Sequence, residues 1–427
     1  MVVSTVNGAK RALHPAAVKK RDVLIVSEGP EGALLARGLA GVAAISVTLV
    51  TTTRTPLWQS LLPAVVSGRL ALADIAEPVI LPSSVEVRLG ELLSVDPTGR
   101  RAFVLDHVQP REPRLPELSY DELVIVPRKP SGLPPSWEHA LPFANEADAA
   151  RLVARVAESL ELASTEDSER RRTSLATVVI VGGGETGVAL AGELRLLLDR
   201  LLPLYPRIAT EEARVLLLER APTVLPRHPR LAPGAARELE RLRITVRTGT
   251  EVQGVFGDHV MTETAGEATR VATRTVVFAG GHAVCPSLLR LSAHGDTATV
   301  DDTGTTSLPG VRVFGVPLGG LSGGPSLARR RRAARELAAH VAGAPEGRAS
   351  SSTAGYLALG EGAVACFGGA SVTGSLARLV GARDHCSGVG GGPLQLLRSF
   401  LRHAASGRSA PVPLALRDRG ALSLSSR

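Results

Sequence analysis

The chain contains few cysteines and few aromatic residues, and each shortage excludes a class of function. Cys285, Cys366 and Cys386 lie far apart in the 427 residues and form no C-x-x-C pair. This spacing argues against a sequence-local redox dithiol, a disulfide framework and a multi-cysteine metal site. Aromatic residues make up only 3% of the chain, too few for a surface on which single-stranded nucleic acid stacks its bases. No apolar run approaches the ~18 residues of a membrane-spanning helix.

Basic residues outnumber acidic ones, and this excess indicates an anionic partner. The chain has 49 lysines and arginines against 41 aspartates and glutamates, a net charge of +8 with a pI near 10.1. A lipid surface, a nucleic acid or an acidic protein face would fit this charge, and so would a general contribution to solubility. The first 21 residues are basic and contain no acid before Asp22. An organelle transit peptide has this composition, and so has a disordered basic tail.

Two β-α-β patterns predict an α/β fold with two nucleotide-binding lobes. The first consists of the strand DVLIV at 22–26, a helix at about 31–41 and the strand AISVTLV at 44–50. The second begins with a strand and helix at 176–202 and continues to the strand ARVLLLE at 213–219. The polar residues 164–173 between the two patterns predict an exposed loop.

The second pattern contains an intact G-x-G-x-x-G sequence, formed by Gly182, Gly184 and Gly187 between a strand and a helix. These glycines permit a tight turn, close approach of a pyrophosphate and close packing of helix on strand. The pyrophosphate would lie at the helix N-terminus. Glu219 closes the next strand, where its carboxylate can accept both ribose hydroxyls and favour NAD over NADP. Arg220 beside it weakens that preference.

The first pattern has an incomplete turn. Ser27 stands where the first glycine belongs, while Gly29 and Gly32 are in place. Glu28 and Glu31 put carboxylates where an anionic pyrophosphate would lie. We interpret this turn as one that is retained for folding after its ligand was lost.

Five segments carry a resemblance to a known family. They are LWQSLLPAVVSGRL at 57–70, ERRRTSLATVVIVGGGETGVALAGEL at 169–194, LLPLYP at 201–206, VLLLERAPTVLP at 215–226 and TVVFAGG at 275–281. From about residue 21 to residue 402, the chain resembles the type II, single-subunit NADH dehydrogenases, above all those of eukaryotic mitochondria. That family has two Rossmann-type domains, with FAD in the first and NADH in the second, and a C-terminal amphipathic region that docks on the membrane. Hydride passes from NADH to the flavin and then to quinone.

The resemblance implies a three-layer α/β fold in which the second dinucleotide-binding domain is inserted in the first. The expected parts are a basic segment at 1–21, a flavin-type domain at 22–145 and 285–343, an NAD-type domain at 146–284, and a membrane- or partner-docking region at 344–427. The docking region includes an amphipathic helix at 393–405, although such a helix can also pack on its own protein. The predicted NAD site consists of Gly182, Gly184, Glu185, Thr186, Gly187, Glu219 and Gly281.

Four segments depart from the family at positions that touch one ligand, FAD. The departing residues are Ser27, Thr51, Pro127 with Arg128, and Pro317 with Leu318. In order, they replace the first glycine of the fingerprint, the acid that holds the FAD ribose, a small Ala-Thr-Gly turn, and a Gly-Asp pair that holds the ribityl and phosphate region. We therefore expect NAD(H) to be the cofactor that this chain retains and FAD not to bind.

The residues that serve redox chemistry in the family are also replaced. Ala189 occupies the position at which the family has a glutamate near the flavin and nicotinamide. Ala328 and Arg332 occupy the positions at which the family has two glutamines near the quinone. Arg332 belongs to a run of four arginines, which fits a solvated helix face, an emptied flavin-quinone cavity or contact with lipid phosphates. Five histidines show no metal-ligand spacing, and surface or capping roles suit them better: His139, His228, His259, His282 and His294. We predict no catalytic residue, no metal and no use of quinone.

Two functions of different class remain. The first is a family member that has lost FAD and redox activity and serves as a structural or regulatory subunit of a mitochondrial membrane assembly, peripheral to the inner membrane. The second is an active, FAD-dependent NADH:quinone oxidoreductase with an unusual flavin site. Nucleic-acid binding ranks last because no recognition module is present.

Overall fold

The computed structural model describes residues 20–106, 116–126, 133–134, 136–280, 305–314, 327–343, 355–360, 362–367, 370–373 and 377. Side chains of the helix at 327–343 are described from residue 333 onward. The expected N-terminal segment up to residue 19 and the amphipathic helix at 393–405 lie outside this part of the chain.

The first lobe is built on a seven-stranded sheet. Its strands are β1 (Arg21–Ser27), β2 (Ile45–Thr51), β3 (Val85–Asp96), β4 (Arg101–Asp106), β5 (Glu117–Ser119), β6 (Glu122–Val126) and β15 (Val311–Val313), in the spatial order β15-β6-β1-β2-β3-β4-β5. β1 pairs in parallel with β2 and β6, and β15 pairs in parallel with β6. The apolar runs of β1 and β6 are buried, as expected for parallel strands covered on both faces.

The second lobe is built on a five-stranded parallel sheet. Its strands are β7 (Leu141–Pro142), β8 (Val178–Val181), β9 (Val215–Leu218), β10 (Thr245–Arg247) and β14 (Thr275–Phe278), in the order β10-β9-β8-β14-β7. β7 shows that this sheet takes one strand from before residue 146. β14 is the last strand of the second sheet along the chain, and β15, which follows it, belongs to the first sheet. The second lobe is therefore inserted in the first, as predicted.

Eight α-helices cover these sheets and fill the two cores. They are α1 (Pro30–Leu39), α2 (Pro63–Val66), α3 (Leu72–Ile75), α4 (Glu146–Thr165), α5 (Glu169–Ala176), α6 (Glu185–Leu201), α7 (Ala232–Arg241) and α8 (Leu327–Val341) among the described residues. α1 and α8 lie together on the first sheet through Leu35, Leu39 and Leu337. α4 and α6 bury Leu152, Leu190 and their neighbours against the second sheet. The described helices include none with the length and apolar composition needed to cross a bilayer.

Part of the predicted docking region packs on the second lobe. Strands β16 (Gly355–Leu359), β17 (Gly362–Phe367) and β18 (Ala370–Thr373) form an antiparallel sheet that lies against α6 and α7. The contact is close, because a Cβ on Gly192 of α6 would lie 2.3 Å from the carbonyl carbon of Leu359. A further antiparallel sheet consists of β11 (Thr250–Val255), β12 (His259–Thr264) and β13 (Glu267–Ala272).

The exposed loop predicted at residues 164–173 is wrong for most of that range. α4 continues to Thr165 and α5 begins at Glu169, so only three residues separate the two helices. Arg172 of α5 donates to the Glu212 carboxylate at 3.1 Å and to the carbonyl of Asp167 at 2.9 Å. These contacts hold a polar helix whose composition alone does not distinguish it from a solvated loop.

A buried ion pair joins α6 to the chain segment that connects β2 and β3. Glu193 of α6 is 1% exposed, and it accepts from Arg69 Nε at 3.0 Å and from Ser67 Oγ at 2.6 Å. Ser67 and Arg69 follow α2, whose Val66 packs in the same core as α6, and Arg200 of α6 donates to the Ser67 carbonyl at 2.5 Å. The connection between two strands of the first sheet is therefore fixed to the helix that follows the glycine turn of the second lobe.

We expect Arg69→Ala to lower the free energy of unfolding by about 3–5 kcal/mol, because it leaves the Glu193 carboxylate buried without its cation. Urea unfolding of the full chain measures this loss. Arg88→Ala is the control, since Arg88 pairs with Glu86 on the surface and should cost less than about 1 kcal/mol. Equal losses in the two variants would contradict the interpretation.

Candidate nucleotide-binding site

The turn between β8 and α6 has the backbone geometry of a dinucleotide-binding loop. Gly182 has φ +108°, in the region that favours glycine, and a Cβ on it would lie 2.6 Å from Gly280. A Cβ on Gly187 would lie 1.7 Å from the Gly182 carbonyl oxygen. The first and third glycines are therefore required for the turn and for the packing of α6 on β8.

Gly184 is the residue of this turn that faces open space. It is the N-cap of α6, and a Cβ built on it would meet nothing within 4 Å apart from its chain neighbours Gly183 and Glu185. The N-terminus of the 17-residue helix, which carries the positive end of the helix dipole, lies at this residue. It can therefore attract an anionic group to the backbone N–H groups. Gly184 through Gly187 thus provide a place for a pyrophosphate.

Glu219 lies beside this turn. β8 and β9 are parallel neighbours, so the residue after β9 reaches the same sheet edge as the residue after β8. The Glu219 carboxylate accepts from the Gly183 N–H at 2.5 Å and from the Ala221 N–H at 2.7 Å. A carboxylate has about four lone-pair sites, so two ribose hydroxyls can still donate to it. The predicted ribose contact is therefore compatible with the geometry.

A loop after β9 folds over the same turn. Leu225, with φ +50° and 1% exposure, donates its N–H to the Gly183 carbonyl at 2.8 Å. The His228 N–H donates to the Leu225 carbonyl at 2.7 Å. The His228 ring Nε2 contacts Oε1 of Glu185, the first residue of α6. Reasoning from the sequence gave His228 only a surface or capping role and missed this contact.

The corresponding turn of the first lobe is closed by its own side chains. Ser27 is 1% exposed, and its Oγ accepts from the Gly29 N–H at 3.2 Å and donates to the Gly29 carbonyl at 2.9 Å. A Cβ on Gly32 would lie 2.2 Å from the Ser27 Cβ, so Gly32 serves helix packing around the serine. The Gly29 N–H, which could otherwise donate to a phosphate, is therefore already hydrogen-bonded to Ser27.

Pro30 and Glu31 close the rest of this turn. Pro30 occupies the first position of α1 and has no N–H to donate. A Cβ on Gly29 would lie 2.5 Å from Oε2 of Glu31, so a carboxylate covers the residue that corresponds to Gly184. An anionic ligand at this point would meet a like charge and would lack two backbone donors. Pro30 was visible in the sequence as a residue without an N–H, yet we did not include it in the predicted site.

Thr51 stands at the end of β2, where an acid would hold the ribose of a flavin dinucleotide. It is 3% exposed, and its Oγ1 donates to the Thr53 carbonyl at 3.0 Å. It has no carboxylate to receive ribose hydroxyls. The residues described at the first turn therefore do not fit the diphosphate and ribose of FAD, whereas those at the second turn fit NAD.

The remaining predicted positions are only partly described. Gly281 of the predicted NAD site lies outside the described residues, and so do Pro127, Arg128, Pro317 and Leu318 of the predicted flavin positions. Ala189 is buried in α6 at 5% exposure. Within the described part of the chain, no three His, Cys, Asp or Glu side chains gather in a group that could hold a metal ion.

The chain matches a family model and several characterised proteins. The model of the pyridine nucleotide-disulphide oxidoreductases matches residues 21–316. The type II NADH:quinone oxidoreductase NdhA of Mycobacterium tuberculosis is 32% identical over 326 residues, covering 71% of this chain and 66% of that protein. The mitochondrial external NADH-ubiquinone oxidoreductase 2 of Saccharomyces cerevisiae is 29% identical over 278 residues, 62% of this chain and 50% of that protein. The chain thus spans between half and two thirds of the length of these relatives.

Solved structures share the fold. NDH2 of Plasmodium falciparum, solved in complex with NADH, superposes with a TM-score of 0.72 at 14% identity, covering 92% of this chain and 100% of that one. The sulfide:quinone oxidoreductase of Aquifex aeolicus gives a TM-score of 0.63 at 13% identity, covering 95% and 96%. At these identities the likeness concerns the fold alone. The family match and the two-lobed fold together establish that the chain belongs to the pyridine nucleotide-disulphide oxidoreductase family, as a type II NADH dehydrogenase-like member.

Proposed function

We propose that this protein binds NAD(H) at the turn between β8 and α6, does not bind FAD, and acts as a structural or regulatory protein without dehydrogenase activity. The supporting observation is the contrast between Gly184 and Gly29. Its chain neighbours Gly183 and Glu185 aside, a Cβ on Gly184 meets nothing within 4 Å, whereas a Cβ on Gly29 would lie 2.5 Å from the Glu31 carboxylate. No residue beyond the chain neighbours covers Gly184 at the start of α6, whereas Glu31 covers Gly29 at the start of α1.

The protein's own residues can bind and orient NAD(H), but they cannot oxidise it. Glu219 would accept the ribose hydroxyls, the start of α6 would hold the diphosphate, and the loop at Leu225 would fix the turn. When NADH is bound, it supplies a hydride, and no protein side chain can accept one. Without a flavin to accept it, NAD(H) would serve as a structural or sensory ligand.

A second function is supported by the relatives. Proteins of M. tuberculosis and yeast that match this chain are named NADH:quinone or NADH-ubiquinone oxidoreductases. An active, FAD-dependent NADH:quinone oxidoreductase would require that the first turn rearranges to accept the flavin. The purified full chain would then oxidise NADH with a soluble quinone, and the first proposal predicts no turnover under the same conditions.

We further propose a place peripheral to the mitochondrial inner membrane, in contact with the membrane surface or with subunits of a membrane complex. Relatives from yeast and Arabidopsis thaliana are named as mitochondrial, and the chain is basic, with a net charge of +8. Purification in mild detergent tests the subunit proposal. Co-migration with a large membrane complex is expected, and an isolated monomer would contradict it.

The binding proposal is tested by titrating the purified full chain with NADH and following the ligand's fluorescence. We expect saturable binding to one site per chain, retained in the presence of excess FAD. A chain that binds FAD stoichiometrically, or that fails to bind NADH at all, would overturn the proposal.

We expect NADH to bind at least ~10-fold more tightly than NADPH, because the Glu219 carboxylate repels a 2′-phosphate; this corresponds to about 1.4 kcal/mol. Glu219→Gln should reduce this ratio, since it removes the charge. Arg220→Ala should increase it, since it removes the neighbouring cation. Titration of each variant with both nucleotides measures the ratio, and an unchanged ratio in Glu219→Gln would contradict the assignment.

A further inference from the structure

A cleft lies at the edge of the first sheet where β1, β6 and β15 begin. It has a volume of about 680 Å³ and is lined by residues 20–21, 100, 121–122 and 305–312. The three strands are parallel, so the turn at Ser27, where β1 ends, lies at the opposite edge, about 20 Å away at ~3.3 Å per residue. The cleft is therefore separate from the dinucleotide turn of this lobe, and the proposed function makes no use of it.

Two arginines are fixed in this cleft by one buried carboxylate. Glu122, the first residue of β6, is 2% exposed. One of its oxygens accepts from Arg312 Nε at 2.5 Å, and the other contacts Arg21. Arg21 also donates to the Val341 carbonyl at 2.9 Å, and Arg312 donates to Thr305 Oγ1 at 2.9 Å. Each guanidinium is therefore held in place by two partners.

The two guanidiniums have donors and charge to spare for a ligand. A guanidinium has five N–H donors, and the contacts to described residues use two in each arginine. Two positive charges share the single negative charge of Glu122, although the Arg312 side chain is only 20% exposed. An anion in the cleft would accept the remaining N–H groups and offset the excess charge.

Two further cations extend the positive charge along the cleft. Lys20 and Arg100 both line it, and Arg100 lies 3.9 Å from the Asp121 carboxylate. That carboxylate also accepts from the Asp22 N–H at 2.9 Å. The lining thus contains four positive side chains and two negative ones, Asp121 and Glu122, which gives it a net charge of +2.

We propose that this cleft binds a small phosphate-bearing ligand through Arg21, Arg312 and Arg100. Arginine suits this chemistry because its planar fork matches the oxygens of a phosphate. The volume of about 680 Å³ is within the ~300–1,000 Å³ of small-molecule sites. A soluble phosphate ester and a lipid headgroup present the same oxygens, so the experiment has to separate these two sources.

The first measurement is calorimetric titration of inorganic pyrophosphate into the full chain saturated with NADH. NADH in excess keeps pyrophosphate from the start of α6. We expect one site per chain, whose affinity falls as salt rises. Arg100→Gln should weaken binding by ~5-fold or more, and Lys20→Gln combined with it by ~20-fold or more. Both substitutions leave the contacts of Glu122 in place, so the fold should be kept.

Arg101→Gln is the matched control. Arg101 follows Arg100 in the chain, and the two side chains are 46% and 51% exposed. Arg101 pairs with Glu117 at 3.1 Å and with Asp96 at 3.4 Å, and it does not line the cleft. The variant loses the same charge as Arg100→Gln and should bind pyrophosphate within ~2-fold of the wild type.

The second measurement is sedimentation with phosphatidylcholine vesicles that contain phosphatidic acid, whose headgroup is a phosphate monoester. Vesicle binding that is lost in Arg100→Gln and kept in Arg101→Gln would identify a lipid headgroup as the ligand. Pyrophosphate binding that depends on Arg100, with equal vesicle binding in both variants, would identify a soluble ligand.

Three results would overturn the inference. They are the absence of binding to either probe, wild-type affinity for both probes in Arg100→Gln, and equal losses in Arg100→Gln and Arg101→Gln. Each would mean that Glu122 and its two arginines form an ion cluster that only stabilises the sheet edge. None of them bears on the NAD(H) turn, which is tested by NADH titration alone.

Discussion

FAD added in excess should not bind to the wild-type protein, and this is the largest effect that we expect. At the first turn, a diphosphate would meet the Glu31 carboxylate; two like charges about 4 Å apart repel by about 4 kcal/mol at an effective dielectric constant of about 20. It would also lack the N–H of Pro30 and the N–H of Gly29, which is bonded to Ser27 Oγ. Hydrogen bonds to a charged group contribute about 1.5–3 kcal/mol each.

Together, the charge repulsion and the two missing N–H donors should weaken FAD binding by more than about 5 kcal/mol, which is more than ~1,000-fold in affinity. Gel filtration after incubation with FAD, followed by an absorbance spectrum of the protein fraction, measures the outcome. NADH in a parallel sample is the control that the chain is folded and competent to bind a dinucleotide. A stoichiometric flavin spectrum in the protein fraction would show that the first turn rearranges, and it would favour the active enzyme.

Gly184→Ala should weaken NADH binding by ~10-fold or more, because the added methyl group stands where the diphosphate must approach the backbone. The substitution should be tolerated by the fold, since a Cβ on Gly184 meets nothing within 4 Å beyond its chain neighbours. Replacing a glycine N-cap by alanine costs at most about 1 kcal/mol of stability. We therefore expect this variant to lose affinity for NADH while its stability stays close to that of the wild type.

Gly41→Ala is the matched control for this prediction. A Cβ on Gly41 also meets nothing within 4 Å, but Gly41 follows α1 and lies far along the chain from the NAD(H) turn. We expect this variant to bind NADH as the wild type does. Wild-type affinity in Gly184→Ala, measured by titration alongside thermal unfolding, would mean that the nucleotide does not approach the turn at this point.

The sequence predicts the second turn well because the signal is local. Gly182 and Gly187 must be glycines for steric reasons that act within a few residues, and Glu219 follows a strand whose parallel pairing is fixed by the β-α-β pattern. The insertion of one lobe in the other was implied by the family resemblance, and the return of β15 to the first sheet confirms it.

The contact between His228 and Glu185 could not be read from the sequence. It joins residues 43 positions apart and depends on the positive φ of Leu225, which no residue type indicates. The polar stretch that forms α5 was likewise misassigned, because its stability comes from the ion pair between Arg172 and the distant Glu212. The Glu31 carboxylate was predicted near the first turn, but only the structure shows that it covers Gly29.

The central claim is that only one of the two dinucleotide turns is open, and the nucleotide content of the natively purified protein tests it most directly. The protein would be purified without added cofactor, its visible absorbance recorded, and any ligand released by denaturation and identified. The account predicts a colourless protein that releases NAD(H) or no nucleotide and takes up added NADH. A yellow protein that releases stoichiometric FAD would contradict it.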